Sequence, residues 1–110
     1  MTNLGRIAGS VTDSITAKAS GNHATATPLT TFVNNVSTVA TDADSVVLPV
    51  LNAGEVVAIV NSGTKSAQIF AAGTATINGV VIDTGVAFAS GKTYVAFAVT
   101  ASNIRGGPLG

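Results

Sequence analysis

The sequence predicts an all-β protein, a small β-sandwich or barrel of about seven to eight short antiparallel strands with an extended N-terminal arm. Three observations predict it. The composition is biased toward Ala, Thr, Val, Gly and Ser, small and β-branched residues that suit pleated strands. Short apolar stretches alternate with turn signals from about Leu29 onward. The N-terminal stretch alternates apolar and polar residues with the period of two that extended chain requires.

At 110 residues the chain has room for one body, which forms a single core or completes it by assembling with copies of itself. The organisation expected is an arm and linker over residues 1–27, a β-sandwich domain over 28–100 and a flexible tail over 101–110. In the arm, Ile7, Val11, Ile15, Ala17 and Ala19 face Ser10, Thr12, Ser14, Thr16 and Lys18 across the period of two. Leu4, Ile7, Val11 and Ile15 also fit a helical stripe, but Gly5, Gly9, Thr12 and Thr16 are poor helix-interior residues, so the strand reading is preferred. Gly9 and Asp13 interrupt the apolar side, which suggests an arm that orders against a partner. Fully extended, such an arm reaches up to about 90 Å at ~3.3 Å per residue. The small, polar run Ala19 to Pro28 reads as a linker.

Within the body, Thr31 to Ala40 is the first run and Ser45 to Leu51 the second, with Pro49 marking an edge strand or a strand end because it cannot donate to a ladder. Asn52-Ala53-Gly54 is a turn. Glu55 to Asn61 is apolar on both faces, as in a central strand. Ser66 to Ala71, Ala75 to Asn78 and Val80 to Asp83 follow, the last two joined by Asn78-Gly79, a pair tolerant of positive φ and hence the best tight turn in the chain. Val86 to Ala89 and then Lys92 to Thr100 complete the body, the final strand setting Tyr94, Ala96 and Ala98 against Val95, Phe97 and Val99. Arg105 to Gly110 reads as a loose tail.

Charge and chemistry narrow the function. Hydrophobic residues make up 46% of the chain and charged residues 9%, with a net charge of zero. Ordinary soluble domains carry ~25% charge, so this composition favours homo-oligomerisation or burial in a larger particle. No basic cluster draws the protein to nucleic acid or anionic lipid, and Arg6, Lys18, Lys65, Lys92 and Arg105 are scattered. No apolar run approaches the ~18 residues of a membrane helix, and the segment after Met1 lacks a signal-peptide core. Without cysteine there is no thiol nucleophile or thiolate metal site.

The single histidine, His23, lies in the linker and is expected to be solvated; one linker histidine does not make a hydrolytic triad. Asp42 and Asp44 could offer oxygen ligands to calcium, but the run lacks the glycine and closing glutamate of a helical calcium loop, so solvated turn carboxylates are expected. Nothing in the spacing selects a catalytic pair from Glu55, Asp83, Asp42 and Asp44. Gly54, Gly63, Gly73, Gly79, Gly85 and Gly91 each sit at a turn between strands and make no phosphate-binding loop. The expectation is a non-enzyme without cofactor or metal.

Residues from about Thr30 to Val99 carry a series of motifs: Val46-Val-Leu-Pro49, the run Ala53 to Gly63, Ser66-Ala-Gln-Ile-Phe70, Thr76-Ile-Asn-Gly79 and Ser90-Gly-Lys92. These resemble small β-rich head decoration or head-fibre proteins of tailed bacteriophages, over about two-thirds of the chain, leaving the N-terminal arm outside. The resemblance implies a structural virion protein on the outer surface of the capsid, bound to the major capsid protein as a symmetric oligomer. By analogy with other shell-capping proteins a trimer is expected. It implies no catalytic residues. Leu4, Ile7, Val11 and Ile15 are the expected capsid-anchoring residues of the arm. The first alternative is a tail- or fibre-associated adhesin module that binds a host surface glycan, which exposed aromatics clustered on one face, for instance Phe32, Phe70 and Tyr94, would favour. The second is a small hydrolase, which a pocket joining His23 to an acid and a hydroxyl would favour.

Overall fold

The structure, a computed structural model, describes residues 9–109. Among them there is no helix, and the chain forms ten short strands: β1 (Val11–Thr16), β2 (Thr27–Pro28), β3 (Val33–Thr38), β4 (Asp44–Val47), β5 (Val56–Asn61), β6 (Ala67–Phe70), β7 (Thr76–Ile77), β8 (Val86–Phe88), β9 (Thr93–Thr100) and β10 (Asn103–Leu109). A larger sheet has the order β1-β3-β5-β9-β10-β7 and a smaller one the order β2-β4-β6-β8.

The all-β expectation holds, but the path is that of a β-solenoid, not an antiparallel sandwich or barrel. Through β6 the chain alternates between the sheets, odd strands entering the larger and even strands the smaller. Each turn of the coil stacks parallel on the one before: β1 on β3 and β3 on β5, with β2 on β4 and β4 on β6. Val11 thus lies beside Val33, and Val33 beside Ala58. The stacking then reverses, with β8 antiparallel to β6, β9 antiparallel to β5 and β10 antiparallel to β9. Strands joined by one turn signal, such as β4 and β5 across Asn52-Ala53-Gly54, lie in different sheets instead of forming a hairpin.

Between the sheets lies one aliphatic core. Val36, Val57, Ile59, Ala96 and Ala98 enter from the larger sheet, and Val46, Ala67, Ile69 and Phe88 from the smaller. Stacked rungs put like residues in register, as in the row Val46, Ile69 and Val86. Burying each such side chain contributes roughly 1.5–3 kcal/mol. Two asparagines, Asn34 and Asn61, are fully buried beside these aliphatics. Asn34 Nδ2 donates to the Thr31 and Ala58 carbonyls at 3.0 and 3.2 Å, while its Oδ1 accepts from Thr31 Oγ1 at 2.9 Å. Asn61 Nδ2 donates to the Lys65 and Phe88 carbonyls at 2.9 and 3.0 Å, and its Oδ1 accepts from Gly63 N at 3.0 Å. These bonds offset the cost of taking the amides out of water.

Both chain ends differ from expectation. The stretch read as a separate arm forms the first rung from residue 11 onward, because Ile15, Ala17 and Ala26 supply buried apolar surface there. The stretch read as a loose tail is β10, paired to β9 from Asn103 to Leu109. Its glycines serve close packing: a Cβ on Gly106 would stand 2.6 Å from the Val95 carbonyl oxygen and 2.7 Å from Tyr94 Cε1. Other expectations hold. β5 is central, between β3 and β9. Pro49 lies just past the end of β4. Asn78 and Gly79 both have positive φ, at 53° and 76°, although Val80 makes only an isolated bridge to Ile77 and no further strand.

Candidate functional site

Of the four expected anchors, Leu4 and Ile7 lie outside the described residues. The structure separates the other two. Val11 is exposed on β1, which among the described residues has β3 as its one neighbour and forms the outer edge of the larger sheet. Ile15 points the other way and is buried in the core, where it supports the first rung and is not free to anchor anything else. What this end of the coil offers is a strand edge unpaired among the described residues, into which residues 1–10 lead. Such edges add strands from partners.

Of the residues considered for catalysis or metal binding, the structure brings His23 and Asp83 together, while Asp42, Asp44 and Glu55 each accept from a backbone N–H. His23 Nδ1 contacts Asp83 Oδ1 at the surface, bridging the β1–β2 and β7–β8 connections. Asp42 Oδ1 accepts from Ser66 N at 3.0 Å, and Asp44 Oδ2 accepts from Thr41 N at 3.1 Å, so each carboxylate stabilises backbone at a turn. Glu55 Oε1 accepts from Asn52 N at 2.6 Å and closes the turn before β5. Among the described residues no three His, Asp or Glu side chains converge as metal ligands.

The three aromatics named for a sugar-binding adhesin do not cluster exposed on one face. Phe70 and Tyr94 are buried and Phe32 is half-buried. Phe97, not among the three, is the aromatic on the outer surface.

Two sheet faces differ sharply. On the smaller sheet, Ser45, Val47, Gln68 and Phe70 point away from the core, opposite in parity to Val46 and Ile69. The chain's own loops cover them. Lys18 bridges to Ser45, and Gly21 fits against Ser45 so closely that a Cβ there would meet its Oγ at 2.2 Å. From the other side, Gln68 Nε2 donates to the Thr84 carbonyl, and a Cβ on Gly85 would stand 2.9 Å from both Gln68 and Phe70. The two straps meet at His23 and Asp83, which gives the lone histidine a role as a clasp that its linker position did not signal. The outer face of the larger sheet carries no such strap among the described residues, and it exposes Val11, Val56, Phe97, Val99 and Leu109.

The comparisons with known proteins are negative: no family model matches the chain, and no curated protein or solved structure matches it.

Proposed function

We propose that the protein is a structural, non-enzymatic component of a bacteriophage particle that decorates the outside of the capsid by binding the major capsid protein as a symmetric oligomer. The single observation that carries the docking part is the edge of β1, which has no second strand beside it among the described residues, is continuous with residues 1–10 and carries exposed Val11. A strand of the shell protein added to that edge gains backbone hydrogen bonds along a whole rung, and many copies on a lattice add avidity to a modest single contact. The phage assignment itself rests on the resemblance of residues 30–99 to head decoration proteins. The motif residues that carry it serve turns and packing: Asn61 holds a turn, Gly79 takes positive φ and Phe70 lies beneath a strap. A scaffold built this way presents surfaces, and among the described residues no three His, Asp or Glu side chains converge.

The test is location and rebinding. Mass spectrometry of purified particles separated into heads and tails should find the chain on heads in many copies. Stripped heads should rebind the purified protein to saturation, and removal of residues 1–8 should weaken that binding at least tenfold while leaving the first rung folded. Absence from heads, or presence on tails alone, overturns the reading.

A further inference from the structure

The larger sheet's outer face is an apolar field framed by two opposite charges. Alternation along β9 sends Tyr94, Ala96 and Ala98 into the core and Val95, Phe97 and Val99 outward. Register carries the same side across the sheet. One row runs Val11, Val33, Ala58, Val95 and Gly107, and the next runs Val56, Phe97 and Arg105. On the other side of the first row lie Asn35, Val60, Thr93 and Leu109, with Asp13 joined to this row by the Asn35 Nδ2 hydrogen bond at 3.1 Å. Asp13 and Arg105 therefore stand at diagonally opposite corners, β1 against β10, with Ala58 of β5 near the centre. Arg105 has no carboxylate partner among the described residues.

We infer that this face binds a second copy of the same chain, face to face about a two-fold axis, with Asp13 of each copy against Arg105 of the other. An axis lying in the plane of contact and crossing the Asp13–Arg105 diagonal at right angles exchanges the two corners while the apolar centre meets itself, which is the self-complementarity an isologous interface requires. The charges then fix the rotation and reject a parallel overlay that would set like against like. The area suffices: five strands ~4.8 Å apart and about seven residues long at ~3.3 Å each make a field of roughly 500 Å², so a pair buries about 1,000 Å², the lower bound for a specific interface. The contrast with the strapped smaller sheet points the same way, because the described residues cover that face and leave the other apolar. A net charge of zero opposes no such pairing. The inference deepens the symmetric-oligomer part of the proposed function and stands without the capsid.

Sedimentation equilibrium of the full-length protein tests it, with circular dichroism confirming that each variant folds. The wild type should be a dimer. Phe97→Glu should raise the dimer Kd at least a hundredfold. Asp13→Arg and Arg105→Asp should each raise it about tenfold, and the two together should restore it. A monomer or a trimer for the wild type overturns the inference, the trimer being the state expected by analogy with shell-capping proteins. So does a dimer indifferent to Phe97→Glu, or a double variant no better than the singles. A wild-type monomer that dimerises once residues 1–8 are removed would show that the chain's own N-terminus occupies the face, and also overturns it. Rebinding to stripped heads is read separately, so loss of pairing and loss of capsid binding are distinguishable.

Discussion

Tyr94 packs edge to face against Phe88, ring centroids 5.7 Å apart and planes at 66°, and its buried hydroxyl has no hydrogen-bond partner among the described residues. The nearby Asn78 amide is committed to β10: Nδ2 donates to the Gly106 carbonyl at 2.9 Å and Oδ1 accepts from Gly106 N at 3.1 Å. The ring thus contributes packing while the oxygen costs desolvation. Tyr94→Phe keeps the aromatic pair and removes the stranded oxygen, so it should stabilise the protein by about 1 kcal/mol, raising Tm by about 4 °C. Thermal melts of the two proteins at neutral pH check this; a loss of stability would mean that the hydroxyl is bonded.

The same burial raises the phenol's pKa above its ordinary value, opposed in part by the nearby Asn78 side chain. Above pH ~10 the unfolded chain's tyrosine gives up its proton while the native one keeps it, so the stability tied to the neutral phenol is intact below pH ~10 and is lost as pH rises through the native value. Urea unfolding between pH 9 and 11 should therefore show a steeper decline for wild type than for Tyr94→Phe. Because the chain has one tyrosine and no tryptophan, tyrosinate absorbance reads this group alone. It should lag behind a free tyrosine until the fold opens.

Asn61 is the polar hub at the end of β5. Its side chain serves Lys65, Phe88 and Gly63, and its backbone bonds Lys92 and Gly91. Asn61→Ala strands two carbonyls and one N–H in a buried place, and should cost about 3 kcal/mol. Asn35→Ala removes contacts to Asp13 and Ser62 at the surface and should cost about 0.5 kcal/mol or less. Chemical denaturation of both variants gives the comparison; equal losses would refute the hub.

Alternation made the inward and outward sets of β9 readable from the sequence, and the doubly apolar run Val56 to Val60 marked β5 as central. Alternation says which side chains share a face and nothing about which strand lies alongside, so parallel stacking through a second sheet reads like a series of hairpins. β10 escaped notice because Gly106-Gly107-Pro108 has the composition of coil, although Gly106 is demanded by the approach to Tyr94. Asn61 read as the end of the central strand, which it is, but its burial follows from where Phe88 and Lys65 arrive in three dimensions. For the candidate site, the period of two placed Val11 and Ile15 on one apolar side. The register shifts between Thr12 and Thr16 put them on opposite sides, a local irregularity that residue pattern does not encode.

That irregularity decides what the N-terminal stretch is for. Ile15 packs beneath Val36 as part of the core, so Ile15→Ala should destabilise the isolated protein by about 2–4 kcal/mol. Val11 is 64% exposed at the edge, and Val11→Ala should leave the isolated protein within about 0.5 kcal/mol of wild type. Were the stretch an arm that orders only on a partner, both substitutions would be silent in the free protein and both would weaken binding. Equilibrium unfolding of the two variants in the absence of any partner separates these cases, since a free arm contributes nothing to the cooperative transition and a first rung does.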